Sequence, residues 1–118
     1  MRGLVKITMA VCIMTWKEAK QEIKKHVEVG TDVNTVTSKG AKKSHGRIVK
    51  RVCDWGYIIP QAKNRDMEVT WDMLEKCWNG MVDNRGVYDI KALKRHYPKS
   101  PGCYVQTIHM IFEKAGLT

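Results

Sequence analysis

The spacing of apolar positions changes twice along the chain, and each change marks a new kind of element. From Thr15 the apolar residues Trp16, Ala19, Ile23 and Val27 recur every three or four positions, while Lys17, Lys20, Lys24 and Lys25 lie mostly off that stripe. This predicts an amphipathic helix with a basic outer face, running to about Val29. Thr15-Trp16-Lys17-Glu18 fits a capping box, in which the Thr hydroxyl and the Glu carboxylate each accept from the other residue's amide. Gly30 suits the far end. The plain reading of the basic face is a row of solvated lysines. Between Thr31 and Thr70 the texture turns to β-branched and turn residues, which predicts strands near Val33–Ser38, Arg47–Cys53 and Tyr57–Gln61, with a short fourth near Met67–Val69. The links are residues 39–46, then Asp54-Trp55-Gly56, then residues 62–66. Links this short imply an antiparallel meander. Pro60, which has no amide donor, places the third strand at an edge or ends it.

After Thr70 the helical period returns. Trp71, Leu74, Cys77, Trp78 and Met81 form one stripe, closed by Asn84-Arg85-Gly86. Asp89 can cap a second, short helix with Ile90, Leu93 and Tyr97 inward, stopped by Pro98. Ser100 caps a third, with Pro101 in its first turn, where a missing amide costs nothing. Val105, Ile108, Ile111, Phe112 and Ala115 form its buried side, and Gly116 ends it. The expected fold is α+β: an N-terminal amphipathic helix (1–30), a basic antiparallel meander of three or four strands (31–70) and three C-terminal helices (71–118), in one domain.

The apolar run Leu4–Met14 is interrupted by Lys6 and Thr8 and falls short of the ~20 residues that a membrane span needs. No small-x-small cleavage site follows it before Lys17–Lys25. It reads as a buried strand or the first turns of a helix, without a membrane partner. A start at Met9 or Met14 is the alternative, and the upstream residues would then be incidental.

The length of 118 residues suits one core, and 43% apolar with 28% charged residues suits a folded domain. Multi-domain enzymes and disordered chains are thereby excluded. Charge sharpens the picture. Against 12 acidic residues stand 21 basic ones, a net of +9. Residues 1–30 carry +3, residues 31–65 carry +6, and residues 66–118 are neutral. Cys12, Cys53, Cys77 and Cys103 lie 41, 24 and 26 residues apart, without the close pairs that a zinc site needs. They read as reduced, mostly buried thiols of a cytoplasmic protein.

Clustered Lys and Arg attract a phosphodiester backbone and release its counterions. The loop Lys39 to Gly46 holds donors only, so Lys39, Lys42, Lys43, Arg47, Lys50 and Arg51 are the expected phosphate contacts, and Trp55 and Tyr57 could stack on unpaired bases. The stretch from Trp71 to Leu117 resembles a helix-turn-helix unit of the winged-helix kind: a stabilising helix, then Gly86 to Leu93 as turn and second helix, then a tight turn at residues 97–100 and a helix from Pro101. That resemblance implies that Tyr104, Gln106 and Thr107 face bases in a major groove, while Lys91, Lys94, Arg95 and Lys99 hold phosphates. The competing reading is a helical cap packed over the sheet.

Three function classes follow. The first is a non-catalytic module that binds DNA or RNA or regulates, such as a mobile element encodes; the second is an interaction or inhibitor module for an acidic protein. The third is a small basic ribonuclease toxin, with His45 beside Arg47 or Lys50 as its acid-base group. Of the other histidines, His109 falls beside core positions, and Cys103 has no identifiable base. No phosphate loop, dinucleotide fingerprint or paired-carboxylate motif is present, so no cofactor is expected.

Overall fold

The computed structural model describes residues 14–35, 46–62, 65–94 and 101–118. The expectations for residues 1–13, the strand end 36–38, the loop 39–45 and the turn 97–100 lie outside them. The elements are α1 (Trp16–His26), β1 (Arg51–Cys53), β2 (Gly56–Ala62), β3 (Arg65–Thr70), α2 (Trp71–Asp83), α3 (Ile90–Lys94) and α4 (Pro101–Lys114). The fold is mixed α+β, with, among the described residues, three helices of 11 residues or more, one of five, and a three-stranded antiparallel sheet in the order β1-β2-β3.

The capping box forms as its sequence dictates. The Glu18 amide donates to the Thr15 hydroxyl at 3.2 Å, and the Thr15 amide donates to the Glu18 carboxylate at 3.0 Å. The Thr15 amide, and after it the Thr15 hydroxyl at 3.1 Å, donate to the Glu18 carboxylate and hold its carboxyl below its ordinary value. The helix stops at His26, three residues short of the expected end. Val27 is extended, its side chain is buried, and its carbonyl accepts from the Tyr57 hydroxyl at 3.0 Å, so a β-branched residue and a tertiary bond end the helix before Gly30 is reached.

The expected strand from Val33 reduces, among described residues, to a bridge between Asp32 and Ile48. Side chains take over its ladder. Asn34 Oδ1 accepts from the Arg47 amide at 3.0 Å, and Asp32 Oδ1 accepts from the Asn34 amide at 2.9 Å. Residues 46–49 are engaged with residues 30–34 through Val33 N to Arg47 O (2.8 Å) and Val49 N to Thr31 O (3.0 Å), so β1 starts only at Arg51.

Asp54 and Trp55 form the tip of the β1–β2 hairpin, where Cys53 pairs with Gly56. Gly56 has φ +147, and a Cβ there would run into the Val69 carbonyl oxygen, so only glycine fits. Pro60 lies in the central strand, contrary to the expectation of an edge. Ile58 turns its carbonyl toward the β1 side to accept from Lys50, and Pro60, two residues on, faces the same side beyond the last β1 pairing. Its missing amide therefore breaks no ladder bond.

Tyr57, Ile59, Met67 and Val69 form the buried face of the sheet. Onto it pack Ala19 and Ile23 of α1, the expected α2 stripe from Trp71 to Met81, and Val105, Ile108, Ile111 and Phe112 of α4. Gly80 leaves room for Leu93, whose side chain would lie 2.5 Å from an added Cβ. Both long C-terminal helices end in Schellman turns. After α4, Leu117 N donates to Phe112 O at 2.8 Å around Gly116; after α2, Gly86 N donates to Met81 O at 2.8 Å around Arg85, a non-glycine residue at φ 59.

Candidate nucleic-acid interface

The twelve acidic residues all lie in the described parts of the chain, together with 13 of the 21 basic ones, a net of +1. Residues 1–13, 36–45, 63–64 and 95–100 carry the other eight basic residues and no acidic one.

Thr35 and Gly46, which bracket residues 36–45, adjoin Asn34 and Arg47. Arg47 Nη1 donates to Thr107 Oγ1 of α4 at 3.1 Å, and the Thr107 hydroxyl lies 3.7 Å from Met67 Sδ of β3. Met67 is two residues past Arg65, where the chain emerges from residues 63–64. Thr107 is six residues past Pro101, where it emerges from residues 95–100, about 9 Å along the helix. Arg47, Thr107 and Met67, remote in sequence, thus meet at one node.

Several expected contact residues take other roles. Arg47 is only 7% exposed, and its amide and guanidinium both bond inside the protein, so it is not a surface phosphate contact. Thr107 is fully buried against Arg47 and Met67 and does not face outward. From Tyr104 onward α4 exposes only Glu113 and Lys114, because it touches α1, α2, α3 and β3 at once. A groove-reading helix needs a free face. The packing is that of a central core helix, with Tyr104 and Gln106 half-buried. Tyr57 is also fully buried, which corrects its expected stacking role; Trp55, at the hairpin tip, is 41% exposed.

Lys50 and Arg51 are exposed, but two acids that follow residue 65 fold onto the same sheet. Lys50 Nζ pairs with Asp66 at 3.1 Å, and Arg51 lies in one cross-strand row with Ile58 and Glu68. The outer sheet face is therefore mixed in charge. Lys91 is exposed on α3, and Lys94 closes that helix. Lys39, Lys42, Lys43, His45, Arg95 and Lys99 lie outside the described residues.

Two features escaped the sequence reading. Lys20 and Lys24, expected to be solvated, lie over the Trp71 ring at 4.9 and 5.7 Å from its centroid. The i, i+4 spacing placed them together, but nothing local announced the ring. The second is the isolation of Arg47. None of the twelve carboxylates forms an ion pair with it, and its Nε is buried without a hydrogen-bond partner. Desolvating a cation without compensation costs on the order of several kcal/mol.

His109 stacks on Tyr88, with ring centroids 4.6 Å apart, and lies 3.8 Å from Glu113. Burial lowers its pKa and the Glu113 charge partly opposes that, as suits a half-buried side chain of the core margin. Cys53 is a half-buried free thiol, and Cys77 is buried. Among the described residues, no three His, Cys, Asp or Glu side chains gather where they could hold a metal ion, and no helix is long and apolar enough to cross a membrane.

No protein-family model, no curated protein and no solved structure matches the chain.

Proposed function

We propose that the protein is a non-catalytic module that binds DNA or RNA, or regulates by doing so, through phosphate contacts made chiefly by its basic central segment, residues 31–65. The observation that carries this reading is the partition of charge: residues 31–65 hold eight basic side chains against two acidic ones. Lysines without neighbouring acids are free to release counterions from a phosphate backbone, whereas Lys50, already paired with Asp66, has less to offer. Lys39, Lys42, Lys43, Lys63, Arg95 and Lys99 are the proposed contacts. The free Cys53 thiol suits a reducing, cytoplasmic setting.

A salt titration tests this reading. Binding to a random DNA duplex or a single-stranded RNA should weaken along a straight log–log line, each phosphate contact adding about 0.7–0.9 to its slope. Replacing Lys39, Lys42 and Lys43 by alanine together should lower the slope by roughly two to three. Absence of binding at low salt would remove the proposal.

A second reading, an interaction module for an acidic protein, draws on Ile48, Val52 and Trp55, which are 37%, 45% and 41% exposed on and beside the edge strand β1 among Lys50 and Arg51. Its mark would be binding to a polyanionic protein that persists at a salt concentration where nucleic acid is released.

A further inference from the structure

Trp71, the first residue of α2, ties the β1–β2 hairpin tip to α1. Its amide donates to the Trp55 carbonyl at 2.9 Å, and its indole Nε1 donates to the Asp54 carbonyl at 3.0 Å. Lys20 Nζ and Lys24 Nζ lie over the same ring, 4.9 and 5.7 Å from its centroid. One side chain thus brings an exposed turn and two ammonium groups, remote in sequence, to one corner of the molecule. Trp55 differs from the other tryptophans there. Trp71 and Trp78 are buried and Trp16 is partly buried against them, whereas Trp55 is 41% exposed and, among the described residues, packs on no other ring. Lys24 is exposed and Lys20 half-buried, and among the described residues neither forms an ion pair. Acids close to them are engaged elsewhere: Glu18 accepts from the Thr15 amide, Glu22 pairs with Lys25 at 3.8 Å, and Asp72 pairs with Lys76 at 3.2 Å. Resting on a ring face positions an ammonium without neutralising it. Asp54, beside Trp55, opposes a polyanion, so charge alone does not favour this corner. What it offers beyond charge is an open π face with cations next to it. A duplex keeps its base faces inside the stack, and a single strand presents free base faces together with phosphates.

We propose that this corner binds single-stranded nucleic acid, with Trp55 stacking on an unpaired base and Lys20 and Lys24 contacting the adjoining phosphates. The proposal rests on the nucleic-acid reading and deepens it by naming the form of the substrate. It also adds α1 as a contact surface outside the basic central segment. Every base has a π face, so the site tolerates any sequence.

The test uses the full chain at low salt, with a labelled oligothymidylate and a DNA duplex of the same length as probes, followed by fluorescence anisotropy. The parent should bind the single strand more tightly. Trp55→Ala should weaken that binding about tenfold or more. It should change duplex binding by less than about twofold, because a duplex is held by its phosphates. Lys20→Gln with Lys24→Gln should lower the single-strand salt slope by about 1.4, roughly 0.7 for each contact. Trp55→Phe, which keeps a π face, should recover most of the affinity. Unlabelled oligothymidylate should quench the tryptophan fluorescence of the parent and leave that of Trp55→Phe nearly unchanged. Unaltered single-strand affinity in Trp55→Ala overturns the proposal and leaves the basic central segment as the nucleic-acid surface. Equal losses on strand and duplex also overturn it, since an unpaired base is then not what Trp55 meets. Absence of binding to either probe removes the wider reading as well. Polyglutamate, the probe for an acidic protein, should bind the parent and Trp55→Ala alike; a tenfold loss there with none on oligothymidylate assigns the tip to a protein and overturns the proposal.

Discussion

The two ends of the three-stranded sheet are built on opposite principles. At the hairpin end the Trp71 amide donates to the Trp55 carbonyl at 2.9 Å and its indole Nε1 to the Asp54 carbonyl at 3.0 Å. The Trp71 ring packs edge-on against Tyr57 at 5.4 Å and near Trp16 at 6.5 Å, under the ammonium groups of Lys20 and Lys24. Polar groups there meet backbone or π partners, and the charges stay at the surface. At the other end a cation is buried on one hydroxyl, which is satisfied only by sulfur. A fold whose stability is concentrated at one end can tolerate an under-satisfied charge at the other.

The strongest way to break this contrast is at Gly56. Gly56→Ala puts a methyl group against the Val69 carbonyl in a backbone conformation that L-residues rarely adopt, so strand β3 must move or the hairpin must unpair. The expected loss is about 3 kcal/mol or more, read as a lower midpoint in urea unfolding. A loss below ~1 kcal/mol would mean that the hairpin end is not where stability is concentrated.

Tyr57 gives the next largest effect and adds a pH signature. Tyr57→Phe leaves the Val27 carbonyl without its partner and should cost about 1–3 kcal/mol. Burial, and after it the negative charge of Glu28, pushes the Tyr57 phenol up to about 12 from an ordinary 10.0. The folded state therefore holds this proton more tightly than the unfolded state. The corresponding stability is complete below pH 10 and is lost as pH rises from 10 toward 12. Urea midpoints across that range should fall more steeply for the parent than for Tyr57→Phe; equal slopes would show that the phenol is not sealed.

The same contrast explains how much was legible in the sequence. Elements announced by local signals emerged where expected: the capping box at Thr15, the α2 stripe from Trp71 to Met81, Pro101 opening α4, and the tight link at Asp54 and Trp55. These depend on neighbours within four residues. What was missed depends on partners brought from a distance. Arg47 reads as a surface cation until Thr107, 60 residues away, is placed beside it. Asp66 falls just outside a segment counted as basic, yet neutralises Lys50 across the sheet. The helix from Pro101 carries the turn and proline of a groove reader, but Thr107 and the residues after it are claimed by four other elements.

The smallest expected effect comes from a residue that belongs to neither end and so calibrates both. Arg85 occupies the left-handed position of the α2 Schellman turn at φ 59, where its Cβ crowds the following carbonyl. Arg85→Gly removes that crowding but makes the unfolded chain more flexible, so the net gain should be only about 0.5–1 kcal/mol. In thermal unfolding this appears as a rise of roughly 3–5 °C. An unchanged or lower Tm would show that Arg85 sits in the left-handed region without strain.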